Sequence, residues 1–242
     1  SKVRGVGVGQ GFHPAGRNGY DGLIRITPDG KLHIHSGVRN LGTYSHTSTS
    51  RVAAEVLKYN WDNCVVVRGD SRKHLAWSPT QSGSNTSFTT TRQSYVAAVD
   101  ALEKIKEIAT LDMGGSIEDY DISGEEVFLI SDPTKRIKFS TIAQRAIEIG
   151  GKYSGYDMPD DLHPITKSSV SGLAGTGLIG VSKDNLYRNG LVAGIAVGFI
   201  EIELDTETGK FEILDYLGVS DCGTVLHPKG LSTQISGGAV QG

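Results

Sequence analysis

Apolar and polar residues alternate over residues 23–37 on either side of Pro28-Asp29-Gly30, the pattern of a β-hairpin closed by a Gly-containing turn, with Ile24, Ile26, Leu32 and Ile34 on its buried face. A Gly/Ser/Thr loop is expected over 41–50. Val52, Ala53, Val56 and Leu57 then share one stripe of a short helix, and the β-branched run 64–68 predicts a strand. A second polar loop, 70–91, leads into a long amphipathic helix. Its apolar positions Val96, Val99, Leu102, Ile105, Ile108 and Ala109 recur at helical spacing, and Gly114-Gly115 ends it.

Residues 117–139 read as short strands with turns at Ser123-Gly124 and Ser131-Asp132-Pro133. Thr141 with Gln144 is a capping-box pattern opening a helix that Gly150-Gly151 closes. The stretch 152–189, rich in Gly, Ser, Pro and Asp, predicts an irregular connection, and one this long inside a domain is usually functional or covered by a partner. A second hairpin follows, 194–205 and 210–218 around Thr206-Glu207-Thr208-Gly209. It leads to a Gly-containing loop, 220–224, and a helix from His227 with Pro228 in its first turn. The chain thus reads as two unequal versions of one plan, hairpin then loop then helix. That predicts an α+β fold of two subdomains, each a β-hairpin or sheet packed on helices.

Composition narrows the classes. With 242 residues, 38% hydrophobic and 21% charged, the chain can bury a core as one large domain or two packed subdomains. Lys+Arg number 24 against Asp+Glu 27, which lacks the basic excess of a nucleic-acid-binding domain. No run approaches the ~18 apolar residues of a membrane span and no leader pattern opens the chain, so no membrane partner and a cytoplasmic location are expected. Cys64 and Cys222 lie far apart, which excludes a self-contained iron–sulfur site, a cysteine-rich zinc site and a disulfide framework, and favours a reducing compartment. Glycine, 32 residues, is about 13% of the chain against a usual ~7%. The chain starts at Ser1 without Met and stops within the Gly-rich run 236–242, and it is expected to be a segment of a longer polypeptide.

Three loop-to-helix junctions, 41–47, 81–87 and the one near Gly223-Thr224, place glycines and hydroxyls just ahead of a helix N-terminus, where unpaired N–H groups and the helix dipole favour an anion such as a phosphate. Helix caps are the competing use of the same hydroxyls. Gly-x-Ser-x-Gly, Walker and His-Glu-x-x-His sequences are absent. His33 and His35 share a strand face and could pair as metal ligands, although exposed strand histidines are commoner. His46, among hydroxyls, is a candidate general base without a carboxylate nearby in sequence to orient it. Turn and cap duties account for Asp215, Asp221 and His227. Cys222 reads as a small packed residue rather than a nucleophile, and Trp61 and Trp77 as core and loop anchors.

The end of the chain carries a resemblance. A hairpin ending at Asp221-Cys222-Gly223, then Pro228, then Gln234-x-x-Gly237-Gly238-x-x-Gln241-Gly242, closely resembles the xanthine dehydrogenase/aldehyde oxidase family of molybdenum hydroxylases. The likeness extends to the Arg4-Gly5-Val6-Gly7 opening, the hairpin with Asp29-Gly30, the loop Gly42-x-x-x-His46-Thr47, the run Ala53-Ala54-Glu55-Val56-Leu57 and Gly69-Asp70-Ser71. It covers nearly the whole chain in order and is weakest over 117–189.

The resemblance implies a molybdopterin-binding fold and a molybdenum cofactor, as the mononucleotide or the cytosine dinucleotide. Gly42 stands as a backbone contact, Thr43 replaces the family's Gln and Tyr44 its second Gly. The phosphate loop falls on Ser84, Asn85, Thr86 and Ser87, and the late pterin-binding Gln on Gln241. A Gly-Phe-Gly-type loop is expected upstream of Ser1. The general-base Glu of a Gly-x-Gly-Glu motif is expected downstream of Gly242, so no catalytic residue and no metal ligand is assigned within the chain. The implied activity is oxidation of an aldehyde or N-heterocycle with water as the oxygen source, and electrons leave through iron–sulfur clusters and FAD on partner domains or subunits. The segment by itself is expected to be inactive and to need the remainder of the large subunit.

In domain terms the resemblance implies a first molybdopterin-binding subdomain over 1–115, a connecting part over 116–190 and the start of a second subdomain over 191–242. Two other readings stand beside it. One is a non-catalytic family-like subunit or relic that, with Thr43 and Tyr44 in the loop, no longer binds cofactor; the other is a phosphate-binding module unrelated to redox chemistry.

Overall fold

The computed structural model describes residues 1–78 and 80–242. Along the chain run β1 (Lys2–Pro14), β2 (Asp21–Ile26), β3 (Leu32–His35), α1 (Ser45–Val56), β4 (Cys64–Val67) and α2 (Asn85–Met113). Then follow β5 (Tyr120–Ser123), β6 (Glu126–Leu129), β7 (Asp132–Lys138), α3 (Phe139–Ile149), α4 (Pro164–Leu173), β8 (Leu178–Lys183), β9 (Ala193–Asp205), β10 (Phe211–Asp221) and α5 (Pro228–Gln241). Two compact units result: Gly16–Arg188, and Ser1–Ala15 together with Asn189–Gly242.

In the larger unit the hairpin β2–β3 forms as the alternation predicts, and Ile24, Ile26, Leu32 and Ile34 are each at most 2% exposed. Its sheet has the order β4-β3-β2-β8, with β3 and β4 parallel and the other pairs antiparallel. Because side chains alternate across a strand, both faces can be covered. One carries the isoleucines and Leu32 against Ala97, Ala101, Ile105 and Ile108 of α2. The other carries Leu23, Ile179 and Val181 against Leu162, Val170 and Leu173. Helix α2 lies so close to β2 that a Cβ on Gly22 would stand 1.9 Å from the Gln93 carbonyl oxygen. The edge strand β8 is tied to the same helix: Val181 N–H donates to Asp100 at 2.8 Å, and Lys104 bridges Asp100 at 2.7 Å and the Ile179 carbonyl at 2.9 Å. Those bonds occupy polar groups that an open edge would offer to another strand.

The structure departs from the sequence reading in several places. Residues 152–189 are not an irregular connection, since α4 and β8 lie there. Strand β8 gains its ladder from β2, more than 150 residues earlier, which no local pattern reveals. Helices α1 and α2 begin inside the stretches expected as loops, at Ser45 and Asn85. Their hydroxyl-rich first turns are held by burial and bonding: Thr49 Oγ1 donates to the Ser45 carbonyl at 2.7 Å, and Thr89 and Thr90 are buried. No capping box forms at Thr141, because Phe139, 1% exposed, is drawn into the core and starts α3 two residues earlier. Gly114 and Gly150 do end their helices, both at positive φ.

The division of the chain differs too. Residues 116–188 do not form a separate connection, since Tyr120, Ile122, Val127, Phe139 and Ile142 share the core of β2 and α2. Residues 1–15 leave that part and pair with β9, from Lys2 opposite Asp205 to Pro14 opposite Ala193. In the smaller unit the order is β1-β9-β10, with an irregularity at Leu214. Glycines at 5, 7, 9 and 11 interrupt the side-chain pattern of β1, which hides the strand in the sequence. Helix α5 starts from His227 with Pro228 in its first turn, as expected. Among the described residues no helix is long and apolar enough to cross a membrane.

Candidate functional site: two joined helix entries

Strands β3 and β4 lie side by side and parallel, and each leads at its C-terminal end toward a helix, through 36–44 into α1 and, among the described residues, through 68–78 and 80–84 into α2. Loops beyond the carboxyl ends of adjacent parallel strands are where open α/β sheets place ligands. Here the two loops are bonded together. Gly37 N–H donates to Ser78 Oγ at 3.1 Å, Arg39 N–H donates to Gln81 Oε1 at 2.7 Å, and Gln81 Nε2 donates to the Arg39 carbonyl at 2.7 Å.

The entry to α1 is an Asn-centred turn. Asn40 Oδ1 accepts from Gly42 N–H at 2.9 Å and from Tyr44 N–H at 3.4 Å, while Gly42 and Tyr44 take φ of 88° and 55°. Tyr44 is the cap residue and its side chain makes no capping bond. Thr43 and Tyr44 are exposed, and Thr43 Oγ1 donates to Ser45 Oγ at 3.0 Å. In the first turn of α1 His46 is 7% exposed, and its Nδ1 is buried without a hydrogen-bond partner. Burial, and next the Arg68 charge, hold the His46 pKa below the usual imidazole value, so the ring is neutral at pH 7.

The entry to α2 repeats the device. Ser84 caps the helix at φ 57° with no side-chain capping bond; Ser84 and Ser87 are exposed, and Asn85 and Thr86 are half-buried. The hydroxyls are therefore not spent as caps at either junction, and each helix presents the positive end of its dipole at its loop. Cations stand beside the first turns of α2. The guanidinium groups of Arg92 and Arg188 each lie 5.2 Å from the Phe88 ring, and Arg92 is paired with the fully buried Asp184 at 2.6 Å. Thr89 Oγ1 accepts from Arg17 N–H at 3.0 Å and donates to the Arg17 carbonyl at 2.7 Å, which fixes the exposed Arg17 to the same helix. The third junction differs: His227 Nδ1 accepts from Gly230 N–H at 2.8 Å, so α5 is capped.

The structure thus joins the loops holding Gly42, Thr43 and Tyr44 and holding Ser84, Asn85, Thr86 and Ser87. Gln241 lies on the smaller unit, exposed in the last turn of α5. That unit holds an open groove of about 890 Å³ lined by Gly9, Gly11, Gly198, Gly218, Ile235 and Gly238 among others. His35 is buried at 3% exposed, not a free strand histidine, and its Nδ1 donates to the His74 carbonyl at 2.9 Å. Among the described residues no group of three or more His, Cys, Asp or Glu side chains is placed to hold a metal ion.

Cys222 is exposed rather than packed, in the loop that follows the last residue of β10. Burial, with a smaller contribution from Glu125, pushes the half-buried Cys64 thiol up to about 12. Trp61 packs at the main core, and Trp77 lies against His163 at 4.1 Å and Tyr20 at 4.5 Å. Asp221 accepts from Gly223 N–H and His227 caps α5, the duties the sequence suggested. Sequence reasoning missed Asn40 and Gln81 as loop organisers. An Asn two residues before a Gly signals the first, whereas nothing local signals the second.

The chain matches the family model described as the molybdopterin cofactor-binding domain over residues 1–242. It is 24% identical over 219 residues to the probable hypoxanthine oxidase XdhD of Escherichia coli (strain K12), covering 90% of this chain and 20% of that protein. With the nicotine 6-hydroxylase large subunit of Paenarthrobacter nicotinovorans it shares 26% identity over 219 residues, 90% of this chain and 24% of the relative. In structure it resembles the reconstituted CO dehydrogenase from Oligotropha carboxidovorans, with a TM-score of 0.73 and 19% identity over 98% of this chain and 28% of the other. The chain therefore spans a quarter or less of the length of these two curated relatives.

Proposed function

Because this chain belongs to the molybdopterin cofactor-binding domain family, of the xanthine dehydrogenase/aldehyde oxidase type, we propose that it is the molybdopterin-binding portion of a molybdenum hydroxylase acting on an aldehyde or N-heterocycle. The observation that carries the reading is the pair of helix entries without side-chain caps whose loops are bonded to each other, with a buried, unpartnered His46 Nδ1 in the first turn of α1. These features fit a phosphorylated heterocycle. The Asn85 N–H already donates to the Ser82 carbonyl at 3.2 Å, so the hydroxyls of Ser84, Thr86 and Ser87, the Asn85 side chain and the remaining first-turn N–H groups of α2 are the donors that suit phosphate oxygens, and the Arg17 charge adds a favourable field. Gly42, Thr43 and Tyr44 suit the polar edge of a pterin, with Thr43 offering a hydroxyl where the family has an amide. Gln241 is proposed as a further amide contact.

When bound, the molybdenum cofactor supplies two-electron oxidation with water-derived oxygen. The chain's own part is to bind and orient: backbone donors fix the phosphate, the loops set the pterin plane, and neutral His46 offers a ring nitrogen from a site closed to solvent. The general base, a Glu, is proposed to lie downstream of Gly242 on the larger polypeptide. Iron–sulfur clusters and FAD on partner domains or subunits are proposed to take the electrons.

The test is the Ser84→Asp/Ser87→Asp variant of the full-length polypeptide in its complex. Two carboxylates would face the phosphate, and each pair of charges about 4 Å apart repels by roughly 4 kcal/mol at an effective dielectric constant near 20. Molybdenum content, and pterin fluorescence after denaturation, should collapse while the melting profile is kept. Unchanged molybdenum in the folded variant would sink the phosphate-loop assignment. Absence of molybdenum from the wild-type complex would favour a family-shaped subunit that binds no cofactor.

A further inference from the structure

We propose that Gln81 is a positioning residue for this site: its side-chain amide holds the α1 entry loop in register with the α2 entry loop, so that both uncapped helix ends meet one phosphorylated ligand. The inference rests on the functional reading above and adds to it a residue that touches no ligand itself.

The geometry is specific. Gln81 Oε1 accepts from Arg39 N–H and Gln81 Nε2 donates to the carbonyl of the same residue, both at 2.7 Å. One amide therefore closes a two-bond ring with the N–H and C=O of a single residue, as a partner strand would. A primary amide offers a donor and an acceptor at the required spacing; an ionised carboxylate has no donor, and an apolar side chain has neither. The residues so joined are 42 apart in sequence. Arg39 precedes the Asn40 turn that sets Gly42 and Tyr44, and Gln81 stands three residues before the Ser84 cap. The Gly37–Ser78 bond anchors the same two loops nearer the strands, so the Gln81 ring is the contact closer to the helix ends. Gln81 is only half-buried. Its loss therefore frees a surface loop without opening the core, and it should alter the ligand-facing geometry more than global stability.

Protonation supplies a test that a merely structural role would not pass. In Gln81→Glu the ionised side chain can accept from Arg39 N–H but faces the Arg39 carbonyl without a donor. Once protonated, its O–H donates to that carbonyl and its C=O still accepts, which restores both bonds.

The experiment uses the full-length polypeptide with its partner subunits, produced in cells that make the molybdenum cofactor, with molybdenum and pterin retention followed during dialysis at about pH 4.5 and about pH 8. Amide hydrogen exchange over 37–44 is measured on the same samples. Gln81→Ala should lose cofactor about tenfold faster than wild type at both pH values, with faster exchange over 37–44 and an unchanged melting profile. Gln81→Glu should behave like Gln81→Ala at the higher pH and approach wild type at the lower, relative to wild type measured alongside. Loaded wild type with both variants retaining cofactor equally well at both pH values would overturn this inference alone. Wild type carrying neither molybdenum nor pterin would overturn the functional reading and this inference with it.

Discussion

Replacing Arg92 by Leu should be among the most damaging single changes in the larger unit, for electrostatic reasons. Arg92 is 17% exposed at its side chain, and its fork reaches Asp184 at 2.6 and 2.8 Å and the Leu186 carbonyl at 2.6 Å. Asp184 is fully buried, and its carboxylate also accepts from the Leu186 N–H at 3.2 Å. Without the guanidinium, that carboxylate stays in a poorly solvated site with most of its lone pairs unmet. Breaking one side of a buried pair costs about 3–5 kcal/mol, and the lost cation–π contact with Phe88 adds about 0.5–1 kcal/mol. Against a typical stability of about 5–15 kcal/mol, that is roughly a quarter or more of the total. The double variant Arg92→Leu/Asp184→Leu removes both charges, leaves no orphan carboxylate, and should recover at least half of the loss. Both tryptophans, Trp61 and Trp77, lie in the larger unit, so tryptophan fluorescence in urea reports that unit alone. With a slope of about 1–3 kcal/mol per molar urea, the single variant should shift the midpoint by at least about 1 M. A single variant within about 1 kcal/mol of wild type, or a double variant no more stable than the single, would refute this account.

Two further outcomes follow. Gln241→Ala, on an exposed turn of α5, should leave folding unchanged while weakening cofactor affinity roughly 5–150-fold through loss of one hydrogen-bonded pair that the bound cofactor would bury; equal retention in equilibrium dialysis would remove Gln241 from the pterin site. Burial, with the Arg25 charge, lowers His35 from 6.5 to about 4, so the unfolded chain binds the extra proton first as pH falls. Stability from this group is full above pH 6.5 and is lost between there and about pH 4, by roughly 3 kcal/mol in all. Urea midpoints measured across that window should lose this part of their slope in His35→Asn, and an unaltered slope would count against it.

Residues close in sequence carried much of the fold. Alternation at Ile24, Ile26, Leu32 and Ile34 determined the first hairpin and its buried face, and helical spacing determined most of the core-facing part of α2, where Val96, Ile105, Ile108 and Ala109 are buried while Val99, placed on the same stripe by the sequence, is 38% exposed; local periodicity dictates which side of an element can leave water. Glycines and hydroxyls ahead of two helices marked the candidate site, and the ordered likeness of nearly the whole chain identified the family. The helix starts were hidden. Ser45 to Ser50 and Asn85 to Thr91 are poor helix formers by propensity, and only burial beside the sheet and hydroxyl bonds to backbone make them helical.

Long-range pairing was hidden more deeply. Leu178 to Lys183 becomes a strand because Asp21 to Ile26 offers it a ladder. Lys2 to Pro14 joins a different unit from the residues that follow it because β9, nearly two hundred positions later, completes its hydrogen bonds. The same holds at the site. A half-buried glutamine in a polar loop looks like any other, and only the folded chain sets Arg39 opposite Gln81, because the parallel pairing of β3 with β4 carries both loops to the same end of the sheet.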